Sequence, residues 1–137
     1  MKVQDVMTRQ VIWVGPEETV EVAARTLQRH NIGALPVCGD NGKICGMVTD
    51  RDLVTRCVAP QLQPAHTRVE DIMTKQVVSI RPDMDTQTAS YLMQQRQLRR
   101  LPVTENGKVC GMISFSDLLS ATQKKREMRK TDREEQC

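Results

Sequence analysis

The sequence predicts an α+β protein built from two tandem copies of one β-α-β-β-α unit. Residues 3–56 align with residues 69–121, and 20 of the 53 aligned pairs are identical. Each half contains short β-type runs around one stretch whose apolar residues recur at helical spacing. Each half also carries an Asn-Gly pair between two such runs, which favours a tight hairpin turn. Since one copy of about 50 residues is too small to close a core alone, we expect the copies to pack sheet against sheet.

Each copy begins with a short strand that a proline ends. Residues 11–14 and 77–80 are rich in β-branched side chains and run into that proline. Thr19 and Asp85 follow at positions where an N-cap would accept hydrogen bonds from the first helix amides. The apolar residues of the helices that follow are Val20, Ala23, Ala24 and Leu27 in copy one and Ala89, Leu92 and Met93 in copy two.

Two further strands and a short helix complete each copy. In copy one the strands are residues 34–38 and 43–49, and the Asn-Gly pair supplies the positive φ angles that a tight turn between them requires. The last helix begins near Thr49 in copy one and near Ser114 in copy two. The residues expected on its buried side are Leu53, Val54, Leu118 and Leu119.

The repeat divides the chain into four parts. We predict repeat one over residues 2–56, a linker over 57–68, repeat two over 69–121 and a charged C-terminal tail over 122–137. The linker contains two prolines and no sustained hydrophobic pattern. The tail has six basic and four acidic side chains, which account for two of the three net positive charges, and it favours a solvated helical extension.

Composition excludes several classes of protein. Aromatic residues make up only 2% of the chain, which argues against a base-stacking platform. The part before the tail is nearly neutral, so it lacks the broad positive field that nucleic-acid binding requires. No apolar run approaches the roughly 20 residues that cross a bilayer. The N-terminus lacks an apolar export segment and the five cysteines show no paired spacing, so we predict a reducing, cytoplasmic location.

No motif of a catalytic or metal site is present in the sequence. No Cys or Ser is placed by sequence to pair with either histidine, and the cysteines lack the paired spacing of a zinc site. Cys45 and Cys110 occupy the same position in the two copies and are expected to be small buried side chains. The roles of Cys57 and Cys137 stay open. We therefore predict a protein that is not an enzyme, binds no metal and requires no cofactor.

Several motifs recur at matching positions and together carry a family resemblance. They are Asp5-Val6-Met7-Thr8 and residues 32–37, 46–53 and 98–103. With them the chain resembles a CBS-domain pair, or Bateman module, over about residues 2–121. This resemblance implies a pseudo-two-fold pair of repeats, assembly into homodimers, and clefts that bind AMP, ADP, ATP, diadenosine polyphosphates or S-adenosylmethionine.

The resemblance also implies a nucleotide site with residues from both copies. Asp52 would accept both ribose hydroxyls, and Thr49 with the free amides at the start of its helix would meet a phosphate. Arg99 and Arg100 would bind phosphates through paired, charge-assisted hydrogen bonds. The side chains implied to wall the base are Met47, Val77 and Val78.

A second, weaker site is implied at Ser114 and Asp117. It lacks the arginine pair, because the positions in copy one that match Arg99 and Arg100 are glycine and alanine. These residues also have structural interpretations. Ser/Thr-x-x-Asp at a helix start resembles a capping box, the arginines suit a solvated strand edge, and the base-pocket residues suit an ordinary core.

The function predicted from these residues is regulatory. The protein would bind an adenosine-containing ligand in the cleft between the repeats and signal through a conformational change to a separate effector protein. One alternative is a ligand-free structural homodimer that mediates protein–protein interaction. Another is a nucleic-acid adaptor that works through the basic tail.

Overall fold

The chain packs as two compact units that combine segments of both repeats. The computed structural model describes residues 1–135, apart from the side chains of residues 124, 125 and 131–135. Unit 1 contains Met1–Gln10, Ser79–Glu105 and the chain from Cys110 onward, and unit 2 contains Val11–Val78 and Asn106–Val109. The first residues of each repeat therefore pack with the body of the other repeat.

Unit 2 is a hairpin covered by helices. Its elements in chain order are α1 (Val20–His30), β1 (Ala34–Cys38), β2 (Ile44–Thr49), α2 (Asp50–Leu53) and α3 (Val69–Ile72). A π-helical turn, Val54–Val58, continues α2, and a short 3-10 turn, Pro64–His66, precedes α3. β1 is buried along its whole length and pairs antiparallel with β2. The core joins the buried face of α1 to Leu35, Val37, Val48, Cys57, Val69 and Ile72.

Unit 1 repeats this arrangement with the second copy. Its elements are α4 (Thr86–Arg96), the hairpin of β3 (Arg100–Glu105) and β4 (Lys108–Ser114), and α5 (Phe115–Glu135). A 3-10 turn, Val3–Asp5, belongs to the same unit, and Val3 donates a hydrogen bond to the carbonyl of Met84. The predicted α+β fold with tandem repeats is confirmed.

The helix caps lie where the sequence places them. The Thr19 hydroxyl accepts a hydrogen bond from the Val22 amide at 3.2 Å, and the Asp85 carboxylate accepts one from the Gln87 amide at 3.0 Å. Most of the predicted apolar face of each helix is buried as well. Only Ala24 and Leu92 are half-buried.

The predicted first strand of each copy is shorter than expected. Residues 11–14 and 77–80 contribute one parallel bridge each, Val14 with Val37 and Ile80 with Val103. Val14 donates to the Pro36 carbonyl and accepts from the Cys38 amide. The next hydrogen bond of this parallel ladder would need the amide hydrogen of Pro36, which proline lacks. The equivalent proline in copy two limits the second ladder in the same way.

The two hairpin turns differ, although both contain Asn-Gly. In copy two, Asn106 and Gly107 have φ angles of 54° and 80° and form the predicted two-residue turn. In copy one, Gly42 has a positive φ but Asn41 does not. The extra residue at Gly39 gives a longer turn, in which the Gly42 amide donates to the Gly39 carbonyl and a bulge interrupts the ladder.

The buried side of the last helix was only half predicted. Leu53 is half-buried and Leu118 is buried, whereas Val54 and Leu119 are 58% and 51% exposed, so the expectation for these two was wrong. Cys57 and Ala121 are buried instead. They lie four and three residues after the two leucines, which is the spacing of one helical face.

The predicted linker and tail both have local structure. Within residues 57–68, Thr67 is buried and its carbonyl accepts a hydrogen bond from the first residue of α1. α5 continues through the predicted tail to Glu135, and the side chains of residues 126–130 are exposed. Cys137 lies outside the described residues.

Candidate ligand-binding site

The corner between β2 and α2 places the first two predicted site residues together. Thr49 ends β2 and is the N-cap of α2. Its hydroxyl accepts a hydrogen bond from the Asp52 amide at 3.1 Å, and the Thr49 amide donates to Oδ2 of Asp52 at 3.0 Å. The two residues therefore form the reciprocal capping box that was the structural interpretation of this motif. This geometry holds the Asp52 carboxylate at a defined place at the start of the helix.

The other oxygen of Asp52 faces an arginine that the sequence analysis did not single out. Nε of Arg56 lies 3.8 Å from Oδ1 of Asp52, whose side chain is only 11% exposed. Nη1 of Arg56 donates to the carbonyls of Ile72 and Met73 at 3.1 and 3.2 Å. The i, i+4 spacing of Asp52 and Arg56 was a signal in the sequence that could have identified this pair.

The predicted base-pocket residues lie in the same unit as Thr49 and Asp52. Met47, Val77 and Val78 are all half-buried. Met47 exchanges two backbone hydrogen bonds with Thr74, at 2.9 and 2.8 Å, so β2 contacts the segment that leads to the two valines. These residues are thus apolar and partly accessible, as the wall of an adenine pocket would have to be.

Arg99 and Arg100 belong to unit 1, at the start of β3. Arg99 is exposed and its carbonyl accepts a hydrogen bond from the Phe115 amide, whereas Arg100 is half-buried. Among the described side chains, neither guanidinium forms an ion pair with a carboxylate. Two consecutive cations that no described carboxylate pairs with are able to bind an anion.

The second predicted site repeats the capping box in unit 1. The Ser114 hydroxyl accepts from the Asp117 amide at 3.1 Å, and Oδ2 of Asp117 accepts from the Ser114 amide at 2.9 Å. The Ser114 hydroxyl also lies 2.9 Å from that of Ser116. No arginine pairs with Asp117 among the described residues, because alanine occupies the position that matches Arg56.

The cysteines differ from the prediction in their exposure. Cys45 is exposed and Cys110 is half-buried, so the expectation that both are buried was wrong. Each thiol donates a hydrogen bond of 3.4 Å to a carbonyl of the paired strand. Cys45 donates to Val37, and Cys110 donates to Val103. Partial burial raises the pKa of both thiols, and the charge of Glu70 adds to the rise at Cys45. Cys57, whose role was left open, is fully buried.

The described residues offer neither a metal-binding cluster nor a membrane-spanning helix. In the part of the chain whose side chains the structure describes, no three His, Cys, Asp or Glu residues come together in a way that would hold a metal ion. Every helix in that part of the chain is too short or too polar to span a bilayer.

The paired repeats, each with a hairpin followed by a capped helix, define a fold of two tandem β-α-β-β-α units. The model of the CBS domain family matches residues 3–59 and again residues 69–124. The chain therefore belongs to the CBS domain family, and the resemblance stated from its motifs is confirmed. It contains a CBS pair, the regulatory module of that family.

Known proteins with the same arrangement include bacterial relatives. The CBS domain-containing protein YhcV of Bacillus subtilis is 40% identical over 116 residues, which cover 85% of this chain and 81% of YhcV. The crystal structure of Hypoxic Response Protein I with two coordinated zinc ions has a TM-score of 0.81 and 31% identity, and the match covers 88% of this chain and 98% of that one.

A third likeness concerns the fold alone. The CBS pair of protein MJ0100, solved in complex with 5-methylthioadenosine and S-adenosyl-L-methionine, has a TM-score of 0.82 at 24% identity. The match covers 91% of this chain and 98% of that one.

Proposed function

We propose that this CBS pair is a non-catalytic sensor of a phosphate-bearing adenosine ligand. AMP, ADP and ATP are the leading candidates, and S-adenosylmethionine is the candidate without a phosphate. Asp52 and Thr49 bind the ribose and its neighbouring phosphate, Met47, Val77 and Val78 contact the base, and Arg99 and Arg100 bind phosphates. The ligand shifts the balance between conformations, to the extent that its affinity for them differs, and a separate effector protein responds.

The observation that carries this proposal is the unpaired state of the two arginines. Arg100 is half-buried, and Arg99 lies next to it in the chain. A partly buried guanidinium is stabilised by an anionic partner, and the described side chains supply no carboxylate to either arginine. Phosphate fits the planar guanidinium fork in a bidentate manner. Their joint action with Asp52 on one ligand rests on the sequence resemblance.

Calorimetric titration of the full chain with AMP, ATP and S-adenosylmethionine tests the proposal. We expect Arg100→Gln to weaken AMP and ATP binding by about 10- to 100-fold, because a hydrogen bond to a charged group contributes roughly 1.5–3 kcal/mol. Arg96→Gln removes the same charge from the exposed end of α4 and should leave binding unchanged. Since S-adenosylmethionine has no phosphate, its affinity should be much less sensitive to the Arg100 substitution.

A second pair of variants tests the ribose contact. Asp52→Asn should weaken all the ligands that bind, whereas Asp50→Asn, with the same charge change in the same helical turn, should weaken none. Urea unfolding of both variants separates lost binding from lost folding. The proposal is wrong if none of the three ligands binds, or if Asp50→Asn and Asp52→Asn act alike on affinity.

A structural homodimer remains the second candidate function. Val54 and Val58 are four residues apart in one helical segment and both are more than half exposed, which suits a protein–protein contact. In that case, no adenosine ligand would raise the melting temperature. Val58→Asp would instead dissociate the dimer in sedimentation experiments.

A further inference from the structure

One arginine fills a polar corner of unit 2. The guanidinium of Arg56 donates to the carbonyls of Ile72 and Met73 and approaches the free carboxylate oxygen of Asp52. A positive group at this place thus interacts at once with two carbonyl oxygens and one carboxylate. Such convergence of acceptors on a planar cation is the usual way in which a guanidinium is bound.

The matching corner of unit 1 is an open groove, and no arginine among the described side chains lines it. The repeat alignment places Ala121 at the position of Arg56, Asp117 at that of Asp52 and Val6 at that of Ile72. A cavity of about 300 Å³ is present there. Its lining residues are Met1, Asp5, Val6, Asp117, Ser120 and Ala121. This volume equals that of roughly ten liquid water molecules, so a small organic cation fits.

The groove has negative groups that no described residue neutralises. Asp117 uses Oδ2 for the Ser114 amide, and Asp5 uses Oδ2 for the Lys2 amide at 3.0 Å. Among the described side chains and the Met1 ammonium, none forms an ion pair with either carboxylate. Among the described side chains, the groove has two carboxylates and no third acidic, histidine or cysteine ligand, which does not suit a divalent metal ion.

We propose that this groove binds a guanidinium group in the manner in which unit 2 binds its own Arg56. The acceptors are Oδ1 of Asp117, the Asp5 carboxylate and the backbone carbonyls that match those of Ile72 and Met73. The guanidinium comes either from a free small molecule or from an arginine side chain of another protein. The proposal does not depend on the leading adenosine site, because none of these residues belongs to the Thr49 and Asp52 corner; Asp117 is shared only with the weaker site implied at Ser114.

The test is a titration of the 15N-labelled chain with methylguanidinium chloride at constant ionic strength, followed by amide chemical shifts. Methylurea, which has a similar shape but no charge, is the control ligand. We expect shifts at Asp5, Asp117 and Ser120 that saturate with a dissociation constant on the order of 1 mM, the affinity of a small ligand held by a few strong contacts.

Two variants connect the binding to the groove. Ala121→Arg supplies a tethered guanidinium at the position that matches Arg56 and should weaken methylguanidinium binding at least tenfold. Asp117→Asn should also weaken methylguanidinium binding, because it removes the negative charge. It tests the groove even if Ala121→Arg does not fold. Asp40→Asn, in the exposed turn of the first hairpin, is the charge-matched control and should leave the dissociation constant unchanged.

Arg56→Ala provides the reciprocal test. It should open the equivalent corner in unit 2 and produce a second set of saturable shifts, around Asp52 and Ile72. A short arginine peptide that binds more tightly than methylguanidinium identifies the source as another protein, and equal or weaker binding identifies a free compound. The proposal is overturned if methylguanidinium causes no more shift than methylurea, or if Ala121→Arg and Asp117→Asn both bind it as the unaltered chain does.

Discussion

Replacing Gly46 with alanine should destabilise the contact between β2 and the segment around Met73. A Cβ atom at Gly46 would lie 2.5 Å from Sδ of Met73, 3.0 Å from its Cγ and 3.1 Å from the carbonyl oxygen of Thr74. The Met73 side chain is able to rotate away. The Thr74 carbonyl is held by the Met47 amide at 2.9 Å, so the backbone has to shift. Overpacking of this kind costs about 1–3 kcal/mol.

Urea unfolding and thermal melting measure this loss. For a domain of this size, the expected cost corresponds to a fall in melting temperature of roughly 3–12 °C. Gly15→Ala is the matched control, because its nearest neighbouring atom would be Cγ of Glu18 at 4.0 Å and its φ is not positive. That variant should keep its stability or gain up to about 1 kcal/mol, because alanine lowers the conformational entropy of the unfolded chain.

A double variant separates the two sources of crowding. Gly46→Ala combined with Met73→Ala removes the contact with the methionine but leaves the carbonyl of Thr74. The double variant should therefore lose less stability than the sum of the two single substitutions, which is the sign of direct coupling. Unfolding of Gly46→Ala and Gly15→Ala at the same urea concentration would contradict this crowding at Gly46.

Three further outcomes follow from the fold. Gly111→Ala should lower the free energy of unfolding as much as Gly46→Ala in the same urea assay. A Cβ atom at Gly111 would meet the side chain of Met7 and the carbonyl oxygen of Thr8 at nearly the same distances. Gly107→Ala should cost roughly 1–2 kcal/mol, since alanine is strained at a φ of 80°, and an unchanged melting temperature would contradict this. Iodoacetamide should label exposed Cys45 in the folded chain and buried Cys57 only after unfolding. The labelling rate of Cys45 should keep rising above the pH at which the labelling rate of free cysteine becomes constant, because partial burial raises the pKa of this thiol. Peptide mass spectrometry at several pH values measures both effects.

The site was predicted from sequence only as far as its local geometry. Thr49 and Asp52 lie three residues apart, so the capping box they form depends on a single helical turn. The role of Arg56 required more, since its guanidinium contacts carbonyls 16 and 17 residues away. A hydrophobic or capping pattern contains no information on which distant carbonyl will face a given side chain.

The amino-acid sequence alone determined the repeated β-α-β-β-α order, the helix caps at Thr19 and Asp85 and the turn at Asn106-Gly107. These features depend on dihedral preferences and hydrogen bonds between residues a few positions apart. Tertiary structure alone decided that the first residues of each repeat pack with the body of the other, that residues 11–14 form one bridge rather than a strand, and that Val54 faces solvent. The physical reason is that these outcomes depend on what lies opposite each residue after folding. Pro36 lacks an amide hydrogen, and this shortens the pairing of residues 11–14 only because they lie beside β1 in the folded chain.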